Sequence, residues 1–563
     1  MGGHRWKNFI LEKSARPGLQ ALLLAALTAA LAIPFLNKAF NIDDPLFIWT
    51  AKQVSSSLCD PYGFILNWYG FKMRAWEVIQ NPPLVSYYIA LAGRFFGWGE
   101  RALHVFFIIP ACGAVLGTYF LARRAPGAAF TAGLLLLASP VFAVSASSVM
   151  CDVTMLALFI WGVFFWVKGI DGENSPCLLA ASFLAGFCAL TKYFGAFLIP
   201  LFIFYVFLKK RRGGTAYLLY LLIPLSMLAF YHFNTAALYG RSLLYNAAAY
   251  SFSQGGKASG VFENLLTGFS FTGGCYIVFI FLVCFLMRKK ELLFSAAVSL
   301  AALAVFLFIK KPWFLPPSSP GLPGFPHYLQ FCLFVFGGIA ILVFLSAESW
   351  RNRKDPLTLL LFTWAAGTFI FSVFFNWTVN GRSLLPCAPP LCVIASLRLG
   401  KTLAASARRR IYLLIACGIL FSLILAAADY RFAGSARQAA KEIGAKRLNY
   451  PGRVFFQGHW GFQYYMEEEG FEAVDVRRTS LASGDSVVVP SNNTNTFPLS
   501  KEVFFLSGRM ELPPFPGLAV MDSTAGAGFY TSLWGPLPFA FGAAADEKYD
   551  IYRFVPASGG KAV

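Results

Sequence analysis

The chain has 563 residues, 57% of them hydrophobic and 13% charged, with a mean hydropathy of +0.60. No soluble core of this size requires such a composition, so the class is a polytopic membrane protein. The formal net charge of +20 comes as short basic clusters between apolar runs rather than along one amphipathic face, which sets nucleic acid aside as a partner and points to membrane topology.

With a span length of roughly 20 residues, the apolar runs predict about thirteen spans. They fall near 19–37, 102–121, 127–144, 150–167, 177–191, 193–208, 216–235, 269–287, 291–309, 328–347, 357–375, 383–397 and 411–428. The first keeps its apolar run into Pro34 to Lys38 without a small-residue cleavage site, so it reads as an uncleaved helix and not a signal peptide. Basic clusters at Arg123-Arg124, Lys168, Lys209 to Arg212, Arg288 to Lys290, Arg351 to Lys354 and Arg398 to Arg410 each follow every second span. With the basic N-terminus (Arg5, Lys7, Lys13, Arg16) on the cytoplasmic side, all of them are cytoplasmic.

Residues 82–97 (PPLVSYYIALAGRFFG) are apolar but short, open with two prolines and carry Arg94. A crossing here would put every later cluster on the wrong side, so the expectation is an interfacial or re-entrant helix within an outer-face loop of 38–101. That loop is rich in Trp49, Trp68, Tyr69 and Trp76, as a structure resting among headgroups would be. Residues 1–429 form the membrane part. From 430 to 563 the long apolar runs stop, and strand-like pieces (Arg453 to Phe456, Ser486 to Val489) flank a helical stretch at Phe462 to Glu469. The expectation is a small extracytoplasmic α/β domain.

None of the 11 cysteines lies beyond Cys417, so the tail has no disulfide framework, and no metal-spaced His/Cys cluster appears. The sequons at Asn376 and Asn492 read as chance.

Under this topology the polar residues able to do chemistry share one side of the membrane. Asp43-Asp44 follow the first span, Asn81 precedes the double proline, and Asp152 begins the fourth span. Lys192 sits in the turn between the fifth and sixth spans, His327-Tyr328 begin the tenth, and Arg382 begins the twelfth. Each has an ordinary reading as well: Asp43-Asp44 can cap a helix starting at Pro45, Asp152 can cap its own, and Lys192 and Arg382 can snorkel to headgroups. His327-Tyr328 can be an interfacial aromatic pair. Taken together, carboxylates able to act as general base and cations able to grip a phosphate describe transfer from a phosphate-bearing lipid to an alcohol.

The motifs resemble those of the GT-C glycosyltransferases that use polyprenyl-phosphate sugars, in the bacterial branch of the lipid A aminoarabinose transferase and relatives of the protein O-mannosyltransferases. The likeness rests on Asp43-Asp44 after the first span, NPPLVSYYIAL, Asp152, ALTKYFG and NGRSLLPCAPPL. It implies that Asp43, with Asp44 beside it, is the catalytic carboxylate and that Asp152 is a second acidic residue of the cavity. It further implies that Lys192 and Arg382 hold the lipid phosphate. Asn81, His327 and Tyr328, on the same side of the membrane, are further candidate substrate contacts. The implied partners are a polyprenyl-phosphate sugar donor, a lipid, glycan or protein acceptor, and membrane lipids; the implied location is the bacterial inner membrane, with the tail periplasmic. Gln80 and Asn81 depart from the branch's acidic and basic residues there, so no metal site is assigned and a divalent metal stays an open question. GHWGFQYY in the tail resembles the tails of bacterial members and reads first as a strand-to-helix junction. The rival class is a secondary transporter or flippase, since charge within a membrane also marks substrate paths; a third reading is a scaffold that has lost the chemistry.

Overall fold

The computed structural model describes residues 17–123, 127–210, 214–254, 260–309, 325–402 and 405–556. The basic N-terminal residues, Arg124, Arg211 and Arg212 lie outside them. Among the described residues, eight helices are long and apolar enough to cross a membrane, or up to ten if each of two bent pairs is one span. Two further expected spans, Ser175–Thr191 and Tyr193–Lys209, are shorter apolar helices meeting at Lys192. Segment 291–309 is helical as Lys289–Ile309 and falls outside that count.

The bends have different causes. Between Ala128–Leu137 and Pro140–Ala146 the axis turns by 65°, where Pro140 removes a backbone donor and its ring clashes with the preceding turn. Between Val261–Cys275 and Ile277–Leu286 it turns by 83° at Tyr276, which is not a proline; the Tyr276 hydroxyl donates to the Leu384 carbonyl at 2.6 Å and ties the corner to a neighbouring helix. Just before that corner Gly273 lies so close to the helix Phe325–Arg351 that a Cβ there would stand 1.9 Å from the Phe334 carbonyl oxygen. Only glycine permits that approach, the usual device for packing helices in lipid.

The loop of residues 38–101 holds its own structure. Pro45 starts helix Asp44–Ser56, an antiparallel hairpin pairs Ile65–Asn67 with Lys72–Arg74, and helix Leu84–Phe96 begins directly after the double proline. At 13 residues that helix is about 20 Å long, too short for a hydrocarbon core of about 30 Å. Leu91, Phe95 and Phe96 are exposed on it.

The last span belongs to a helix of 41 residues, Ala405–Ala445. It is about 60 Å long, twice the hydrocarbon thickness, and passes unbroken through residue 430, where composition alone puts a boundary. Beyond it lies a five-stranded sheet in the order Glu472–Ala473, Val454–Phe456, Ser486–Pro490, Glu547–Phe554, Phe504–Leu512. Its first three strands are parallel and the last two pairings antiparallel. Helix Trp460–Glu468 follows the strand Val454–Phe456. It seats the tail on the membrane part: the Tyr465 hydroxyl donates to Glu100 at 2.9 Å and accepts from the Phe40 amide at 2.8 Å, and Arg437 pairs with Glu100 at 2.9 Å.

Candidate active site

Asp43, Asn81, Lys192 and Arg382 line one cavity of about 500 Å³, bounded by loop 38–101, the starts of three membrane helices and the tail. Asp43 is aimed by the residue before it. Ile42 has φ +50°, a left-handed conformation that a β-branched side chain rarely adopts and that persists only where its surroundings impose it. The turn leaves Asp43 partly exposed in the cavity while Asp44 turns inward. Asp44 is 1% exposed and accepts hydrogen bonds from the backbone amides of Asn41 and Val149, both at 2.9 Å. Burial pushes its carboxyl up to about 7, against the nearby Lys38 charge and the two amides that pull it down. Asp44, expected beside Asp43 in catalysis, does not line the cavity: its Oδ2 closes the local turn on the Asn41 amide, and its Oδ1 ties loop 38–101 to Val149, just before the helix Cys151–Asp171.

Asp152 sits in the first turn of that helix, 2% exposed, and faces the two cations from below. Lys192 Nζ reaches it at 2.6 Å and Arg382 Nη1 stands 3.8 Å away. Lys192 is extended, at the break between two helices. Gly195 makes the break tight, since a Cβ there would meet the Cys188 carbonyl carbon at 2.3 Å. This accounts for the spacing in ALTKYFG. Arg382 stands in a short helix capped by the Asn380 side chain on the Ser383 amide. Its Nη2 donates to Asp43 at 2.8 Å and its Nη1 lies 2.7 Å from Met150 Sδ. The buried Nε of Arg382 and Oδ2 of Asp152 have no hydrogen-bond partner among the described residues. Four of the expected residues thus form one alternating array, Asp43, Arg382, Asp152 and Lys192. Asn81 lines the cavity as well, with its carbonyl accepting from the Tyr62 hydroxyl at 2.7 Å.

His327 and Tyr328 are not in this cavity. They begin the helix Phe325–Arg351, with the His327 ring 3.7 Å from a Cβ built on Gly542 of the tail. Sharing a side of the membrane in sequence did not bring them to the array, because that helix packs along the bent Val261–Leu286 pair instead.

The tail contributes residues that sequence reasoning left without a role. His459 and Trp460, from the strand-to-helix junction, line the cavity with Trp534 and Tyr530. Trp460 is held at φ +63°. Burial takes the His459 ring down to about 3, so it is neutral there, packed 4.4 Å from Trp68. Asn492, one of the sequon asparagines, has both its amide hydrogens and its oxygen engaged: it donates to the Met521 carbonyl at 2.9 Å and to Glu547 at 2.8 Å, and accepts from Trp534 Nε1 at 2.6 Å.

Beneath the array is a buried ion pair that was missed. Lys38, 1% exposed, pairs with Asp429, 0% exposed, and also donates to the Ser147 and Ser148 hydroxyls at 3.3 and 3.2 Å. The Tyr530 hydroxyl donates to the same carboxylate at 2.9 Å. The sequence signal was available: one lone charge of each sign at the end of an apolar run. Among the described residues, no group of three His, Cys, Asp or Glu is arranged to hold a metal ion.

Fold and site together define a multi-pass helical membrane protein with a charged cavity at its helix ends. Residues 80–238 match the sequence model of the dolichyl-phosphate-mannose-protein mannosyltransferase family, and this match marks the chain as a membrane glycosyltransferase. No curated protein matches it by sequence. Among solved structures it is similar to ArnT from Cupriavidus metallidurans in the apo state, with 14% identity, 83% of this chain and 92% of that one covered, and a TM-score of 0.49. The same protein bound to undecaprenyl phosphate gives 15% identity, 84% and 93% coverage and a TM-score of 0.49. The apo oligosaccharyltransferase of Archaeoglobus fulgidus gives 14% identity, 84% and 69% coverage and a TM-score of 0.49.

Proposed function

We propose that the chain moves a sugar from a polyprenyl-phosphate donor to a hydroxyl on a lipid, glycan or protein acceptor, in a cavity at the outer face of a bacterial inner membrane. The observation that carries the reading is the array itself. Two cations converge where a phosphate can approach from the cavity, and Arg382 keeps a buried Nε–H without a hydrogen-bond partner among the described residues. A guanidinium and an ammonium placed this way suit a phosphate ester, which accepts charge-assisted hydrogen bonds from both.

In the proposed reaction the acceptor oxygen attacks the anomeric carbon from the face opposite the phosphate. The anomeric C–O bond breaks, its electron pair leaves with the polyprenyl phosphate, and the acceptor's proton passes to Asp43. Configuration inverts. Lys192 and Arg382 offset the charge that builds on the leaving oxygen, and Asp152, buried below them, holds both in place. In the free protein Asp43 is itself on Arg382, so an arriving phosphate competes for the guanidinium and frees Asp43 to meet the acceptor. Residues 1–429 carry this chemistry, and 430–563 form an extracytoplasmic unit that closes the cavity. The outward orientation is supported by the basic clusters, which alternate away from the array along the chain.

The test is transfer of label from a radiolabelled polyprenyl-phosphate sugar to a crude envelope acceptor by the protein purified in detergent. Asp43→Asn is expected to abolish transfer and to keep lipid binding. Full transfer by Asp43→Asn would show that the base lies elsewhere.

A further inference from the structure

The segment Phe529–Ser532 belongs to the tail in sequence but to the array in space. The Gly381 amide donates to the Phe529 carbonyl at 2.8 Å, the Ser532 amide to the Val379 carbonyl at 2.9 Å, and Thr531 Oγ1 to Thr378 Oγ1 at 3.2 Å. This run of bonds fixes residues 378–381, immediately before Arg382, against the tail. Between them Tyr530 lies with its ring 5.5 Å from the Arg382 guanidinium carbon. Its hydroxyl bonds both oxygens of Asp429, at 3.0 and 2.9 Å, and Asp429 is held in turn by Lys38.

Each hold on Arg382 has a different dependence on the chemistry. Asp43 grips Nη2, but a base that takes up a proton or turns to an acceptor loses its charge or its position. Asp152 stands 3.8 Å off and is already bonded to Lys192. The Tyr530 ring attracts the guanidinium through its π face, and that attraction is unchanged when Asp43 is protonated or displaced. The ring cannot turn away, because its hydroxyl is tied to a fully buried ion pair. A phenylalanine would offer the same face without the tether.

We infer that Tyr530 is a positioning residue for Arg382, so that the tail builds part of the donor-phosphate site. This rests on the reading that Arg382 meets the phosphate, and the experiment separates the two.

Binding of undecaprenyl phosphate to the full-length protein in detergent micelles is measured for the native chain, Arg382→Ala, Tyr530→Leu, Tyr530→Phe and the double variant Arg382→Ala/Tyr530→Leu. Tyr530→Leu is expected to weaken binding roughly tenfold, in keeping with a desolvated cation–π contact. Tyr530→Phe, which keeps the ring, recovers most of that loss. In the Arg382→Ala background Tyr530→Leu adds nothing, as coupling through one contact requires. In turnover, the donor KM rises and the acceptor KM does not. Tyr549→Phe, which alters a buried tail tyrosine bonded to Ser435 at 3.1 Å, is expected to match the native chain. If Tyr530→Leu does not fold, Tyr530→Met gives the same ringless comparison with a side chain that repacks more easily. Native binding by the ringless variants, or a loss that adds to that of Arg382→Ala, overturns the role of Tyr530 alone. Native binding by Arg382→Ala overturns the phosphate reading, and this inference with it.

Discussion

The buried pair of Lys38 and Asp429 joins the end of the first span, the last helix and the tail, so its removal tests whether these parts are held as one body. In Asp429→Leu the ammonium stays at a site 1% exposed with only the Ser147 and Ser148 hydroxyls as partners, and the Tyr530 hydroxyl loses its acceptor. Breaking a buried pair by removing one partner costs about 3–5 kcal/mol, because an uncompensated charge is left behind. Lys38→Met leaves the carboxylate with the Tyr530 hydroxyl alone and is expected to cost a similar amount. Lys38→Met/Asp429→Leu removes both charges. Ser147 and Ser148 keep their own bonds to the Val144 carbonyl and Ser148 stays beside the Tyr530 hydroxyl, so the remaining deficit is at most that of one hydroxyl without its carboxylate acceptor, about 1–3 kcal/mol. Adding Tyr530→Phe removes that too. Equilibrium unfolding in mixed micelles, followed by tryptophan fluorescence, measures all four. A single variant within about 1 kcal/mol of the native chain, or a double variant less stable than either single, would refute the reasoning.

Arg382→Ala is expected to raise the donor KM more than it lowers turnover, in steady-state transfer assays; a change confined to acceptor dependence would contradict its phosphate role. Asp44→Asn is expected to lower stability by about 1–3 kcal/mol, since the amide nitrogen then faces one of the two backbone amides that the carboxylate satisfies, with thermal unfolding as the check. Burial beside Asp522 raises the Glu547 carboxyl to about 8. Its folded form therefore keeps a proton that the unfolded chain releases above about 4.5, and the stability this contributes is complete below that pH and lost as pH rises through about 8. Unfolding is expected to be easier at pH 8.5 than at pH 6, with a shallower slope in Glu547→Gln; an unchanged slope would show that other groups set it.

The grouping of Asp43, Asp152, Lys192 and Arg382 into one candidate site was legible because each stands at a helix start or break, where a short motif records the local geometry. Which of two adjacent carboxylates faces the cavity was not legible. That choice depends on the left-handed backbone at Ile42, which no residue type announces. The bend at Pro140 could be read from the proline, whereas the larger one at Tyr276 comes from tertiary contacts. Lys38 with Asp429, and Phe529–Ser532 with residues 378–381, are pairings across long separations with no periodicity to expose them. The same is true of His327 and Tyr328: sharing a membrane side says nothing of how far apart two helix ends lie.

The most direct measurement is a structure of the full chain with a polyprenyl phosphate bound. Phosphate oxygens within hydrogen-bond reach of both Lys192 and Arg382, with Asp43 released from the guanidinium, is the expected result. A phosphate seated away from those two side chains, with the Asp43–Arg382 contact intact, would contradict it.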